Sequence, residues 1–325
     1  MEFHGEIIQD GPFSVRALVV LDQSGRDRVL CVAKAAWRVP VGELPRLLER
    51  EVEVRDLPLR HEETALSSIR LPGDVAPHKP GTDVVLVGHA RHPRAFPDAR
   101  HVDVTLAISS RAELLRKTVR VYGPRRWTDA GDGTLVPSAP EPYVETPLRY
   151  EWAVGGGEPR TGTETHRLED PSLPPEIAQR TRAGFAPIAA DWLPRAARCG
   201  STGGEWTTML APRAPIDRDP RFYCTAPDDQ WLEAPLQGGE RVVVSGTTHD
   251  APWTFEVPTL APAFFTRARG REEPLSTHLD TLILDADERR IELVWRASAR
   301  LGSSQFGPSG VAVRSRTQPQ VALAG

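Results

Sequence analysis

Apolar positions in the first part of the chain fall in short runs broken by turn-forming residues, the pattern of strands and not of helices. Phe13 to Asp22 (FSVRALVVLD) is one such run. The turn Gln23-Ser24-Gly25-Arg26 follows, and Asp27 to Val39 (DRVLCVAKAAWRV) is a second run, so the pair predicts a hairpin. In the second run Leu30, Val32 and Ala36 are read as facing inward, with Arg28 and Lys34 facing out. The alternation is imperfect, which implies that both faces are partly covered. Val52 to Val54, Asp83 to Ala90, His101 to Ile108 and Lys117 to Tyr122 are further strands. Arg111 to Lys117 contains helix formers, but Val119 and Val121 restore period two, so a tight connection ending in a strand is preferred.

From Thr128 to Asp229 Pro and Gly recur every few residues, with isolated aromatics between them: Trp152, Phe185, Trp192, Trp206, Phe222 and Tyr223. That is too long for one structureless loop in a compact domain, so the aromatics are expected to pin irregular segments onto a scaffold. Pro174 to Thr181 reads as the best short helix, with Pro at its start and Gly184 beyond its end. Past Leu236 the strand pattern returns at Glu240 to Gly246, Trp253 to Val257, Thr281 to Asp285 and Arg290 to Ala297. The last two form a hairpin over Ala286-Asp287-Glu288-Arg289. The expectation is a mainly β fold of sandwich-like antiparallel sheets with a long Pro/Gly-rich irregular middle and few short helices. Its parts are an N-terminal β region (1–127), a loop-rich middle packed on the scaffold (128–235), a C-terminal β region completing the fold (236–300) and a frayed tail (301–325). No internal repeat and no βαβ alternation is visible, which argues against a doubly wound nucleotide fold.

Composition narrows the class. The 31 Pro and 26 Gly among 325 residues are about half again the average share, which excludes a bundle of long helices. A formal net charge of -4 argues against a nucleic-acid or anionic-membrane binder. Cys31, Cys199 and Cys224 lie far apart, with no CxxC, so neither a disulfide framework nor a structural zinc site is expected, and a reducing compartment fits. The N-terminus lacks a basic start followed by an apolar run, and no apolar stretch is long enough to span a bilayer, so a cytoplasmic protein is expected.

Candidate chemistry is sparse. Gly155-Gly156-Gly157 has no following helix and no Lys-Ser/Thr, so sharp turns explain it better than phosphate binding. His89, His92 and His101, with Asp83 and Asp103, offer metal-ligand types, but His92-Pro93 at a strand end does not place them for it. Ser67, Ser68, Ser109, Ser110 and Ser201 lack a nucleophile elbow. Cys199, with dispersed histidines, is weak ground for a thiol enzyme, and Glu169-Asp170 and Asp228-Asp229 are carboxylate pairs of a commonplace kind. Pro80-Gly81 is a turn feeding the strand from Val84; Asp83 is placed to accept turn amides and Lys79 to pair with it. Trp and Arg most often anchor interfaces. Trp37 and Trp295 continue strands and are assigned to the core. Arg126, Trp127, Trp152, Trp192, Arg195 and Trp206, in the irregular region, are the candidate partner-binding residues, scaffold pinning being the competing reading. No catalytic, cofactor-binding or metal-binding residue is assigned.

The ordered blocks GPFSV (11–15), GRDRVLCVAKAAWRV (25–39), SSIRLPGDVAPHKPGTDVVLVGHA (67–90), RVYGPRRW (120–127), TPLRYEWAVGG (146–156), LEDP (168–171), AGFAPIAADWLPR (183–195), DRDPRFYCTAPDDQ (217–230), LQGGERV (236–242) and LDTLILDADERRIELVWRA (279–297) resemble a bacterial family known as a domain of unknown function. The resemblance spans Gly11 to Ala297, and KPGTDVVLVGHA is its most specific block. Tyr150-Glu151 is followed here by Trp152-Ala153-Val154 where the family usually has Phe-Gly-Gly, and the stretch after it is short. Members of that family resemble companions of type VI secretion, encoded beside the PAAR spike-tip protein and a toxin effector. The resemblance implies a non-catalytic adaptor or chaperone that loads a toxin effector onto the spike, with the effector or the PAAR protein as partner, no cofactor, no nucleic acid and no membrane. A hydrolase with carboxylates in a loop-built cleft and a carbohydrate-binding sandwich are the alternatives.

Overall fold

Alternating apolar residues at the two ends of the chain are drawn into shared sheets. The computed structural model describes residues 2–22, 24–49, 52–64, 67–96, 98–153, 160–209, 211, 213–249, 251–301 and 309–317. The chain opens with β1 (Glu6–Asp10), β2 (Ser14–Leu21), β3 (Asp27–Arg38) and β4 (Arg46–Leu48), followed by β5 (Thr82–Val87), β6 (His101–Ser109) and β7 (Glu113–Tyr122). The irregular middle adds β8 (Leu168–Glu169). Then come β9 (Trp231–Leu232), β10 (Arg241–Ser245), β11 (Trp253–Glu256), β12 (Leu260–Ala268), β13 (Arg271–Leu275), β14 (His278–Asp285), β15 (Arg290–Arg300) and β16 (Gly310–Thr317).

The central sheet has the order β9-β5-β14-β15-β3-β2, with β4 against the far end of β3. Its pairs are antiparallel except β5 with β14. An antiparallel second sheet runs β8-β7-β6-β10-β11, and a third runs β1-β16-β12-β13, with β1 parallel to β16. The predicted hairpins form as β2–β3 and β14–β15, and β7 begins at Glu113, leaving no room for a helix there.

Period two divides the central sheet into unlike faces. Ala33, Ala35 and Trp37 of β3 join Leu293 and Trp295 of β15 in the main core. Phe13 and Trp37 both set their rings edge-on to Trp295, at 5.6 and 6.5 Å. The inner residues of the second sheet, among them Val104, Leu106, Val119 and Val242, belong to the same cluster. Trp253 of β11 ties the two layers together, its indole N–H donating to the Val39 carbonyl at 2.9 Å. Each such aliphatic side chain contributes about 1.5–3 kcal/mol on full burial, set against the entropy of ordering the chain.

The other face corrects the sequence reading. Lys34 stands opposite Val294 and shares its face with Leu30 and Val32. It is not a solvent residue: its relative exposure is 0%. Even-numbered residues of one strand must point the same way, so Leu30 facing in and Lys34 facing out were incompatible.

Other expectations are corrected as well. Val52 to Val54 forms no strand. Within the tail expected to fray, Gly310–Thr317 is β16, flanked by β1 and β12, with Val311 and Val313 buried. β12 escaped notice because Pro262 sits inside it. Pro262 pairs only with Ser315 of β16, while β13 pairs from Phe264 onward, so the missing N–H falls where the strand has one neighbour.

The irregular middle is bound to the sheet edges. Lys117 of β7 donates to the Gly184 carbonyl (2.5 Å), Asp229 Oδ1 (2.7 Å) and Gln230 Oε1 (2.8 Å). The Gln230 amide in turn donates to the carbonyls of Val84 and Phe185. The predicted helix is one turn, α1 (Pro175–Ala178), with Pro at its first position. At Gly81 a side chain would collide with the Leu232 carbonyl, because β9 pairs immediately beside it. Among the described residues no helix is long and apolar enough to cross a membrane.

Candidate functional site

The six sequence-selected residues are half-buried or engaged within the protein. The Trp127 ring lies 6.0 Å from His166, and the Arg167 guanidinium stacks 4.0 Å over Trp152. Tyr150, two residues before Trp152, meets Trp192 at 6.3 Å. Trp127, Trp152 and Trp192 are thus strung along neighbouring segments, and the last two pack on the main core. Arg126 is exposed and donates to the Gly162 carbonyl. Arg195 donates to the carbonyls of Phe222 (2.7 Å) and Ile188 (2.9 Å), and the Trp206 indole donates to that of Arg213 (2.8 Å). These contacts tie irregular segments together. Gly155-Gly156-Gly157 lies outside the described residues.

The polar face of the central sheet carries a chain of buried ion pairs. Lys34 Nζ lies 2.8 Å from Asp74 Oδ2 and 2.9 Å from Glu292 Oε2, and Arg55 Nη2 lies 2.7 Å from Glu292 Oε2. Arg296 Nη2 donates to the Asp74 carbonyl (2.6 Å) and lies 3.2 Å from Asp280 Oδ2. Thr281 bridges onward, donating to Asp280 Oδ1 (2.8 Å) and accepting from Lys79 Nζ (2.7 Å). Lys79 donates to Asp83 Oδ2 (2.8 Å), which also accepts from the Thr225 amide (2.7 Å). The Lys79–Asp83 pair read from the sequence therefore exists, but the amide on Asp83 comes from Thr225 in the irregular middle. Arg290 joins the array, 3.2 Å from Glu292 Oε1 and 3.5 Å from Asp285, so Lys34, Arg55, Lys79, Arg290 and Arg296 balance Asp74, Asp83, Asp280, Asp285 and Glu292. A sealed, neutral array presents neither net field nor open carboxylate to a substrate.

The array has a pH signature. Burial alone raises the Glu292 carboxyl; the Lys34 and Arg55 charges overcome it and hold it at about 2. At Glu169 burial is likewise overcome, by the His166 hydrogen bond and the Arg125 charge, again to about 2. A carboxyl depressed in the folded state stabilises fully above its ordinary value of 4.5, and that contribution is lost as pH falls through the folded value. The share of the urea midpoint that these two carboxyls supply is expected to hold down to about pH 5 and to be lost between about 4.5 and 2. The depressed His61, His78 and His92 add a separate decline that begins below their ordinary value of 6.5. Glu292→Gln should flatten the carboxyl loss, and an equal loss in the variant would show that Glu292 takes no part.

Thr165 Oγ1 lies 2.9 Å from His166 Nδ1, and His166 Nε2 lies 2.7 Å from Glu169 Oε1. The order imitates a nucleophile, base and orienting acid. All three are buried, and Arg125 already holds Glu169 at 2.8 Å, so the chain anchors β8. Burial pushes the Cys31 and Cys224 thiols up to about 12, away from thiolate chemistry. Among the described residues no group of three His, Cys, Asp or Glu side chains is arranged to hold a metal. His92 and His101 instead meet Tyr143 and Tyr122, at 4.1 and 5.7 Å.

Where β14 turns into β15, two adjoining cavities of about 440 and 410 Å³ share Arg94 and His249 as walls. Loop ties build them. Arg91 N donates to the Gly246 carbonyl (2.8 Å) and Arg94 N to that of His249 (3.0 Å). Gly246, at φ +77, turns the chain tightly against Asp103. The first cavity is completed by His92, Tyr143 and Val144, the second by Val41, Arg91, Asp287 and Arg289. His92 is 3% exposed, and both its ring nitrogens are buried without a hydrogen-bond partner. Burial pushes its pKa down, and the His101 and His249 charges act in the same direction, so the ring is neutral at neutral pH. Asp287 accepts from His89 Nδ1 (2.7 Å) and Arg91 Nη1 (2.8 Å), and Arg91 also reaches Glu145 (3.0 Å). Arg289 lies 5.5 Å over the Trp253 ring, with Nη1 buried and unpartnered. On the rim Val144 is 78% and Val41 47% exposed. Only the fold brings these segments together. In the sequence His92-Pro93 and the turn Ala286 to Arg289 were visible, but nothing related them.

Over residues 24–296 the chain matches a family described as "Uncharacterized protein conserved in bacteria (DUF2169)". No curated protein and no solved structure matches it.

Proposed function

The chain belongs to this bacterial family, DUF2169, and on that premise we propose that it is a non-catalytic adaptor that loads a toxin effector onto the spike of a type VI secretion system. The observation that carries the protein-binding part of this reading is the rim at the β14–β15 turn. There the apolar residues Val144 and Val41 are exposed beside concave, arginine-bearing walls. Exposed apolar side chains around a polar concavity are the form of a protein-docking surface. The effector and spike assignment rests on the resemblance of the ordered sequence blocks, and binding proceeds with no bond made or broken.

The test is co-expression of the full chain with the products of the genes adjacent to its own, followed by affinity purification and size exclusion. Co-elution with a toxin or spike-tip protein is expected, weakened at least tenfold by Val144→Asp. Recovery of neither, with every adjacent product tested, would count against the adaptor reading.

A further inference from the structure

We propose that the cavity between the β2–β3 turn and the irregular middle binds a small amphoteric molecule, an apolar or aromatic α-amino acid whose carboxylate meets Arg28 and whose ammonium meets Asp22. The site lies at the opposite end of β3 and β15 from the β14–β15 turn, and it goes beyond the adaptor reading. Three observations carry it.

The first is how the cavity is built. Val20 and Arg28 stand opposite each other across β2 and β3. Asp22 continues the ladder, its amide donating to the Arg26 carbonyl, so by period two it shares the face of Val20. Asp22 and Arg28 are thus diagonal neighbours on one hairpin, a separation of about 7–8 Å between backbones that one small molecule spans with two charged groups. Pro77 and His78 form a wall, and Ala214, Pro220 and Tyr223 of the irregular middle complete the lining. The volume is about 510 Å³, inside the range of roughly 300–1,000 Å³ of small-molecule sites.

The second is charge that is positioned but unspent. Arg28 Nε and Nη2 donate to the Ser298 hydroxyl (3.3 and 3.0 Å), and Nη2 also donates to the Ser298 carbonyl (3.2 Å). The guanidinium is thereby fixed, while Nη1 has no acceptor and Arg28 no ion pair among the described residues. Asp22 Oδ1 accepts from the Ser24 amide, the Ser24 hydroxyl and the Arg26 amide, and Oδ2 accepts from no described residue. Arg28 and Asp22 are the two lining residues charged at neutral pH. His78 is neutral there, because burial and the His278 and Arg296 charges push its pKa down. A simple anion would be opposed by Asp22 and a simple cation by Arg28. A ligand with one charge of each sign satisfies both, the carboxylate taking the open edge of the guanidinium.

The third is the apolar remainder of the lining, Val20, Leu21, Pro77, Pro220 and the Tyr223 ring. An inorganic ion would leave this surface wet, whereas an apolar amino-acid side chain covers it.

The experiment is calorimetric titration of the full chain with L-phenylalanine and L-leucine. Beside them run phenylpropionate, which lacks the ammonium, phenethylamine, which lacks the carboxylate, and L-glutamate, whose side chain is charged. The proposal expects L-phenylalanine or L-leucine to bind at least tenfold tighter than each of these three. Asp22→Asn keeps an oxygen for the turn amides, and it should erase the preference for L-phenylalanine over phenylpropionate. Arg28→Gln should erase the preference over phenethylamine, and Ala214→Phe, which fills the cavity, should weaken binding at least tenfold. Thermal melts verify that the variants fold. No binding of either amino acid at millimolar concentration would overturn the proposal, as would a truncated analogue binding as tightly as L-phenylalanine, or Ala214→Phe binding like the parent. The comparison of ligands on the parent needs no variant, and it is independent of co-purification with adjacent gene products, so either idea can fail alone.

Discussion

Lys34→Met should lower the stability of the folded chain by about 3–5 kcal/mol, toward the lower end because Arg55 remains near both carboxylates. The ammonium is wholly buried and lies within 2.9 Å of Asp74 and Glu292. Removing it leaves two buried carboxylates facing the partly buried Arg55 guanidinium, with Arg290 3.2 Å from the other oxygen of Glu292. The loss therefore comes from the stranded charge and not from the absent contact. That distinction can be measured. Lys34→Met/Glu292→Met removes one charge of each sign and leaves Asp74 opposite Arg55, so it should recover much of the loss. Urea denaturation of the parent, the single and the double variant gives the comparison. A double variant less stable than the single one would mean that charge balance does not govern this face.

Asp83→Ala should cost a similar amount, about 3–4 kcal/mol, and the damage should be localised. Asp83 Oδ2 accepts from Lys79 and from the Thr225 amide. Without it Lys79 keeps only Thr281 and the His278 contact to its carbonyl, while a buried amide loses its acceptor. Because Thr225 belongs to the irregular middle, amide exchange should accelerate across about residues 183–230 more than in β3 or β15. Asp83→Asn retains an acceptor for Thr225 while losing the charge, so it should fall between the two. Uniform exchange in the alanine variant would show that Asp83 does not tether the middle to the sheet.

Local patterns were legible wherever one strand sufficed to define them. Val104, Leu106 and Ile108, and Val119 with Val121, alternate in sequence and are buried in the second sheet. Trp37 and Trp295, which continue strands, lie in the core. Lys79 and Asp83 are four residues apart around a Pro-Gly turn, and their pairing followed from that spacing. What escaped was chemistry assembled from distant segments. No local signal says that Lys34 is buried, because the carboxylates compensating it are on Asp74 and Glu292. The same holds for the cavities, which draw on residues near 41, 92, 143, 248 and 288.

Lys34, Asp74, Lys79, Asp83, Asp280, Glu292 and Arg296 all lie in the sequence blocks that carried the family resemblance. Those blocks therefore describe the platform. His92, Arg94, Tyr143 and His249 fall outside them, whereas Asp287 and Arg289 of the second cavity fall within the last block.

The central sheet has a consequence for biosynthesis. Ala35 finds its cross-strand neighbour in Leu293, and Asp83 finds its own in Thr281. A ribosome must therefore release the chain beyond Leu293 and Thr281, the partners of β3 and β5, before either strand is completed. Until then Lys34 lacks Glu292 of β15, as Asp83 lacks Thr225 until the irregular middle emerges, and bare strand edges stand open to other chains. Such non-local pairing slows folding and lengthens the interval in which a nascent chain is vulnerable to aggregation.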